Sequence, residues 1–220
     1  MSLTITEGGY NFNPVTGEFD YSNPDIINDI NNPNDPITAF GYITAALKLR
    51  KEQGLDAFTV QSCDNIQHNG NVTRKMLLAF AAEQRQKIKR VDCHYEIYFS
   101  NAMVDLIHPC LKKSDIDYVV DAYGVSDEWP ITCESFTQWV IEDSFCCGRP
   151  AWDNVGAQFV SDVTPYETMK IRLLNAGHSV LGLLGSVHGY GTIDETVSDP
   201  LFAKYLRAFM DKEVTPNLKR

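Results

Sequence analysis

AFTVQSCDNIQHNGNVTRKMLLAFA, residues 57–81, is the stretch whose reading decides the fold. Residues 57–63 are an unbroken strand-like run. From Val72 the pattern changes to helical spacing through Met76, Leu77, Phe80 and Ala81, extending to residue 87. Upstream, Ile37, Phe40, Ile43 and Leu47 share one helical face. Asp35 before Pro36 is the expected cap, Lys48, Arg50 and Lys51 stand near the end, and Gly54 lies past it. Residues 3–6 read as a short strand ended by the turn Glu7, Gly8 and Gly9, and residues 94–99 as a further strand. Strand, helix, strand, helix, strand at this spacing predicts βαβ units with a parallel sheet, and so an α/β fold.

Beyond residue 110 the pattern predicts a short helix over 115–123, an apolar run at 139–141 and a strand at 158–160. Thr164-Pro165-Tyr166-Glu167 has the form of a capping box with proline at the first helical position, so a helix is expected from Pro165. It carries Met169, Leu173, Val180, Leu181 and Leu184, while Gly177, Gly182 and Gly185 predict close approach of another backbone. A second amphipathic helix is expected over 200–212 through Leu201, Tyr205, Leu206 and Phe209. The character of the chain shifts from alternating α/β to helical near residue 160, which predicts one domain over 1–160 and the start of another over 161–220.

With 220 residues, 44% hydrophobic and 22% charged, the chain has a globular composition. Its net charge of −10 disfavours nucleic acid or an anionic membrane surface, because phosphates would be repelled. No apolar run approaches the roughly 18–20 residues that span a bilayer. MSLTITEGGY lacks the basic start and apolar stretch of a signal peptide, so a cytoplasmic location with reduced cysteines is expected. The cysteines at 63, 93, 110, 133, 146 and 147 show neither a CxxC pair nor zinc spacing, and adjacent Cys146 and Cys147 suit a mutual disulfide poorly. They read as packing residues, with no metal implied.

Lys170, Asn175 and His178 interrupt the apolar pattern of the helix after Thr164. At 100° per residue they share a sector of about 140°. An amine, an amide and an imidazole facing one small space suit proton transfer from an alcohol, the amide donating to a developing alkoxide. The alternative is a solvated helix face. Ser62-Cys63-Asp64-Asn65 follows directly on a strand, where parallel sheets bind ligands, which places Asn65 to meet a second domain's helix across that crevice. The alternative is that Asn65 and Asn69 make a turn and cap the next helix. Glu7 sits in the same kind of position after the first strand, or is an ordinary turn residue. Tyr166 and Lys170 also spell the Y-x-x-x-K of short-chain dehydrogenases, but no glycine-rich turn accompanies them and Tyr166 lies in the first helical turn, where packing is expected.

SLTITEGGYN, FTVQSCDNIQHNGNVTRK, NAMVDLIHP, QWVIED, GRPAW and PYETMKIRLLNAGHS together resemble the polyol-specific long-chain dehydrogenases of the mannitol dehydrogenase family, over essentially the whole chain. The resemblance implies a partial Rossmann-type parallel sheet followed by the start of a mostly α-helical C-terminal domain. It implies hydride transfer between a polyol such as mannitol and NAD, without metal. It places the family's general base on Lys170, its alkoxide-binding amides on Asn65 and Asn175, and its substrate-orienting histidine on His178. Glu167 matches the glutamate that assists proton exit, Glu7 a carboxylate near the nicotinamide, and Asp105 with Asn101 the substrate side. Leu106 replaces an expected arginine, and Ser100 and Ser135 replace expected prolines. No G-x-G-x-x-G follows a strand, and the chain stops at Arg220, soon after the helical domain begins. Two readings therefore stand. One is an NAD-dependent polyol oxidoreductase acting on a small polyol or ketose. The other is a truncated relative that binds or interacts without turnover, its exposed sheet edge open to self-association.

Overall fold

The computed structural model describes residues 1–13, 15–88 and 97–218. It divides into two compact units, Met1–Ser161 and Asp162–Arg220. In the first, β1 (Ser2–Leu3), β2 (Val60–Ser62) and β3 (Phe99–Ser100) form a parallel sheet with β2 in the centre. The expected α/β architecture is present. A single helical turn, α1 (Thr6–Gly9), follows β1. Helices α2 (Pro24–Asn31), α3 (Ala39–Glu52) and α4 (Asn69–Ile88) share one core with the sheet. Leu3 and Val60 meet Tyr10, Ile26, Ile30, Ile43, Leu77 and a ring cluster of Phe19, Phe40 and Phe80 with centroids 6.2–6.4 Å apart.

The elements are shorter or differently capped than the sequence predicts. The strand expected over 3–6 stops at Leu3, because Thr6 takes a positive φ of 58° and opens α1. The run 57–63 contributes only Val60–Ser62 to the ladder. Helix α3 is capped by Thr38, whose hydroxyl accepts from Gly41 N, and not by Asp35. Buried Asp29 of α2 fixes that start by accepting from Ile37 N (2.9 Å), Thr38 N (2.8 Å) and Thr38 Oγ1 (2.6 Å). Burial alone would raise its pKa, but these donors outweigh burial and hold the carboxyl below its ordinary range. Helix α2 was not anticipated, although Asn23 capping and Pro24 at the first position give the standard start signal. Of the strand expected over 94–99, only Phe99 belongs to β3; residues 94–96, like Cys93, lie outside the described residues.

A second sheet in this unit holds β4 (Ala102–Asp105), β5 (Gln138–Glu142) and β6 (Gln158–Val160), with β4 antiparallel to β5 and β5 parallel to β6. The antiparallel strand β4 was not expected. It follows β3 after one residue, Asn101. Helix α5 (Lys113–Tyr123) lies between β4 and β5 in sequence and ends at Gly124, whose φ of 65° closes it.

Gln61 is the one discordant side chain of β2. It is buried, yet among the described residues neither Nε2 nor Oε1 meets a hydrogen-bond partner. An unsatisfied buried polar group costs about 1–3 kcal/mol. Gln61→Leu is therefore expected to raise the unfolding free energy by about 1 kcal/mol in urea denaturation. A loss of stability would show instead that the carboxamide is engaged.

The second unit is helical: α6 (Thr164–Met169), a π turn (Lys170–Asn175), α7 (Ala176–His188), α8 (Ile193–Ser198) and α9 (Pro200–Ala208), followed by a second π turn (Phe209–Val214). The capping box expected at Thr164 does not form. Val163 occupies the cap position: the Glu167 N–H bonds Val163 O at 3.1 Å and not the Thr164 hydroxyl, and the Thr164 N–H donates to Asp162 Oδ1 at 2.8 Å and not to the Glu167 carboxylate. The three glycines of α7 do accept close neighbours, but these are side chains and not backbone. A Cβ at Gly177 would meet Met210 and Leu206, at Gly182 Ile193, and at Gly185 buried Thr196.

Candidate active site

Within the first unit, the loops after β1, β2 and β3 carry Glu7, Asn65 and Asn101. The carboxyl ends of parallel strands are where such a sheet binds ligands. Asp64 ties two of these loops together. Its carboxylate accepts from Ile5 N (2.9 Å), Thr6 N (2.8 Å) and the Tyr10 hydroxyl (2.6 Å). Tyr10 is fully buried and its hydroxyl also meets Ser62 Oγ at 2.5 Å. Burial, with Asp64 beside it, pushes the Tyr10 phenol well above its ordinary pKa. Glu7 and Asn65, both exposed, thus each adjoin a residue of the Asp64–Thr6 hydrogen bond. Cys63, between Ser62 and Asp64, has its thiol pushed up to about 11 by burial and by Asp64. It is a neutral packing residue, not a nucleophile.

The α4 start is fixed with equal care. Asn69, fully buried, donates to Asp64 O (2.9 Å) and Ala102 O (2.7 Å) and accepts from Ala102 N (3.0 Å). At Gly70 a Cβ would stand 2.6 Å from the Ser100 carbonyl and 2.7 Å from Asn101 N, so the helix rests directly on the β3–β4 backbone. Asn101, implied on the substrate side, is buried and engaged inside this unit. Its Oδ1 accepts from Asn71 N (3.0 Å) and its Nδ2 donates to Glu142 Oε2 (2.9 Å). That arrangement gives it a structural task. Asp105 lies half-buried at the far end of β4, opposite Gln138, away from the Asn101 end.

In the second unit the π turn changes the geometry expected for Lys170, Asn175 and His178. The Ala176 N–H bonds Ile171 O, five residues back, so the turn is wider than an α-turn and each residue rotates less. Asn175 is thereby brought nearer the Lys170 side of the helix than uniform α-geometry allows. On this geometry Glu167, Lys170, Asn175 and His178 share a narrower sector than the about 140° that uniform α-helix gives. Glu167 is buried, Lys170 half-buried, and Asn175 and His178 exposed, so the stripe runs from the interior to the surface. One amine, one amide and one imidazole in a single file can accept a proton, donate to an oxygen and orient a hydroxyl. The sequence did not signal the π turn, nor the anchoring tasks of Asp64 and Tyr10.

Comparison with known proteins gives concordant matches. A family model described as the mannitol dehydrogenase Rossmann domain matches residues 1–154, and one described as the mannitol dehydrogenase C-terminal domain matches residues 162–220. D-mannonate oxidoreductase of Escherichia coli is 46% identical over 218 residues, which is 99% of this chain and 45% of that protein. The solved ternary complex of Pseudomonas fluorescens mannitol 2-dehydrogenase with NAD and D-mannitol is 51% identical, with a TM-score of 0.82 over 100% of this chain and 44% of the other. A D-sorbitol dehydrogenase in substrate-free form is 43% identical, with a TM-score of 0.89 over 100% of this chain and 45% of its own. The chain spans less than half the length of the relatives it matches. Among the described residues, no helix is long and apolar enough to cross a membrane.

Proposed function

The chain belongs to the mannitol dehydrogenase family, and from that footing we propose that it serves hydride transfer between a secondary alcohol of a sugar alcohol and NAD, with mannitol and fructose as the leading pair. The observation that supports the reading is the π turn over Lys170–Asn175, whose wider geometry favours Lys170 and Asn175 sharing one side of the helix with His178 and Glu167. In polyol oxidation the Lys170 Nζ takes the hydroxyl proton as the alkoxide forms. The Asn175 amide donates to that oxygen and His178 orients the sugar chain by hydrogen bonding; Asn65 keeps the alkoxide-binding role that the family resemblance implies. Glu167, one turn before Lys170, receives the proton onward. NAD, when bound, supplies the acceptor for the hydride that leaves the carbinol carbon. The loops after β1 and β2 suit such a group, since both lie at the carboxyl edge of a parallel sheet; Glu7 is the carboxylate assigned beside its nicotinamide. Asp105 and Asn101 are proposed for the substrate side, Asn101 through the placement of its loop.

The test is to titrate NADH and NADPH into the purified chain by fluorescence, then assay reduction of fructose. Saturable binding below millimolar NADH and fructose-dependent oxidation of it are expected. Absence of binding up to millimolar coenzyme would reject the catalytic reading for this chain and favour a relative without turnover. Asn175→Ala is expected to lower turnover about 10²–10³-fold, the usual cost of losing one oxyanion donor.

A further inference from the structure

The loop after β5 holds two neighbouring thiols that the reaction above does not use. Its base is fixed by the Ser100 hydroxyl, which donates to Ser144 O at 2.7 Å. Its far end is fixed by Arg149, which bonds Asp143 at 2.9 Å and stacks on the Phe159 ring at 3.3 Å. Between these anchors the Cys146 N–H donates to Thr59 Oγ1 at 3.1 Å. Both thiols then converge on one acceptor, the Ala57 carbonyl, with Cys146 Sγ at 3.4 Å and Cys147 Sγ at 3.1 Å. Cys147 is exposed and Cys146 half-buried, so a small reagent can reach the pair.

Adjacent residues joined by a trans peptide have Cα atoms about 3.8 Å apart, whereas a disulfide prefers about 4.4–6.8 Å. Direct oxidation to a ring between these two cysteines is therefore disfavoured, and the pair persists as thiols. The same geometry accepts a bridging atom, because two sulfurs bound to one central atom stay farther apart than the ~2 Å of an S–S bond. A soft element is required, since sulfur donors select soft acceptors. Two thiols cannot complete a tetrahedral zinc site, but they complete the coordination of a trivalent arsenic that already carries one carbon.

We propose that Cys146 and Cys147 form a preorganised dithiol site for trivalent organic arsenicals. The step balances without redox change. Two S–H bonds and the arsenic–oxygen bonds break, two As–S bonds form, and the oxygen leaves with both protons as water. Capture would withdraw both thiols from the Ala57 carbonyl, just ahead of β2.

The test uses the full chain and phenylarsine oxide, with intact-mass spectrometry after challenge by excess 2-mercaptoethanol. One phenylarsenic per chain is expected to resist the monothiol and to be removed by 2,3-dimercaptopropanol. Peptide mapping should place it on the fragment that contains both cysteines. Cys146→Ser and Cys147→Ser should each reduce resistant adduct at least tenfold, while Cys133→Ser leaves it unchanged. Thermal melting of each variant checks that it folds, and the wild-type mapping stands independently of the variants. An adduct stripped by monothiol, one that persists in Cys147→Ser, or one mapped to another cysteine would overturn the site.

Discussion

Replacing Asp64 with alanine is expected to lower the unfolding free energy of the first unit by about 3 kcal/mol, because three donors lose a buried carboxylate at once. Those donors are Ile5 N, Thr6 N and the Tyr10 hydroxyl, and Tyr10 has no exposure to water that could replace the bond. Urea denaturation measures the loss directly. Tyr10→Phe deletes one of the three and should cost about 1 kcal/mol. A comparable cost for the two variants would show that the backbone bonds to Asp64 contribute little. The same phenol makes a pH prediction. Its folded pKa is raised above the ordinary 10.0, so its contribution is complete below pH 10 and is lost as pH climbs through the raised value. Stability should therefore decline above pH 10 in the native chain more steeply than in Tyr10→Phe.

What the sequence made legible, and what it hid, follows from how local each signal is. The core of α3 was readable because Phe40, Ile43 and Leu47 repeat at helical spacing and are all buried. Its cap was not, since the choice of Thr38 over Asp35 depends on Asp29, a residue of a different helix. The pattern Thr-x-x-Glu stands at the start of two helices of the second unit, with opposite outcomes. At Thr164 it fails because Asp162, two residues back, takes the Thr164 N–H that Glu167 would have accepted, and the Glu167 N–H goes to Val163 O. At Thr192 it forms, Glu195 N donating to Thr192 Oγ1 (3.2 Å) and Thr192 N to Glu195 Oε2 (3.1 Å), and it starts helix α8, which had not been anticipated. The candidate site shows the same division. Lys170, Asn175 and His178 stand out as polar residues in an apolar helix, but their sector of about 140° holds only for uniform α-geometry. A single widened turn has no compositional mark, so its effect on their alignment became visible only in the fold.

That alignment gives the most severe expected loss of function. Lys170→Ala should reduce polyol oxidation about 10²–10⁴-fold, the range for removing a positioned general base, with little change in stability because the side chain is half-buried on a helix surface. Steady-state kinetics on mannitol with NAD measures this. Tyr166→Phe should change turnover little; if the two outcomes were reversed, Tyr166 would hold the acid–base task.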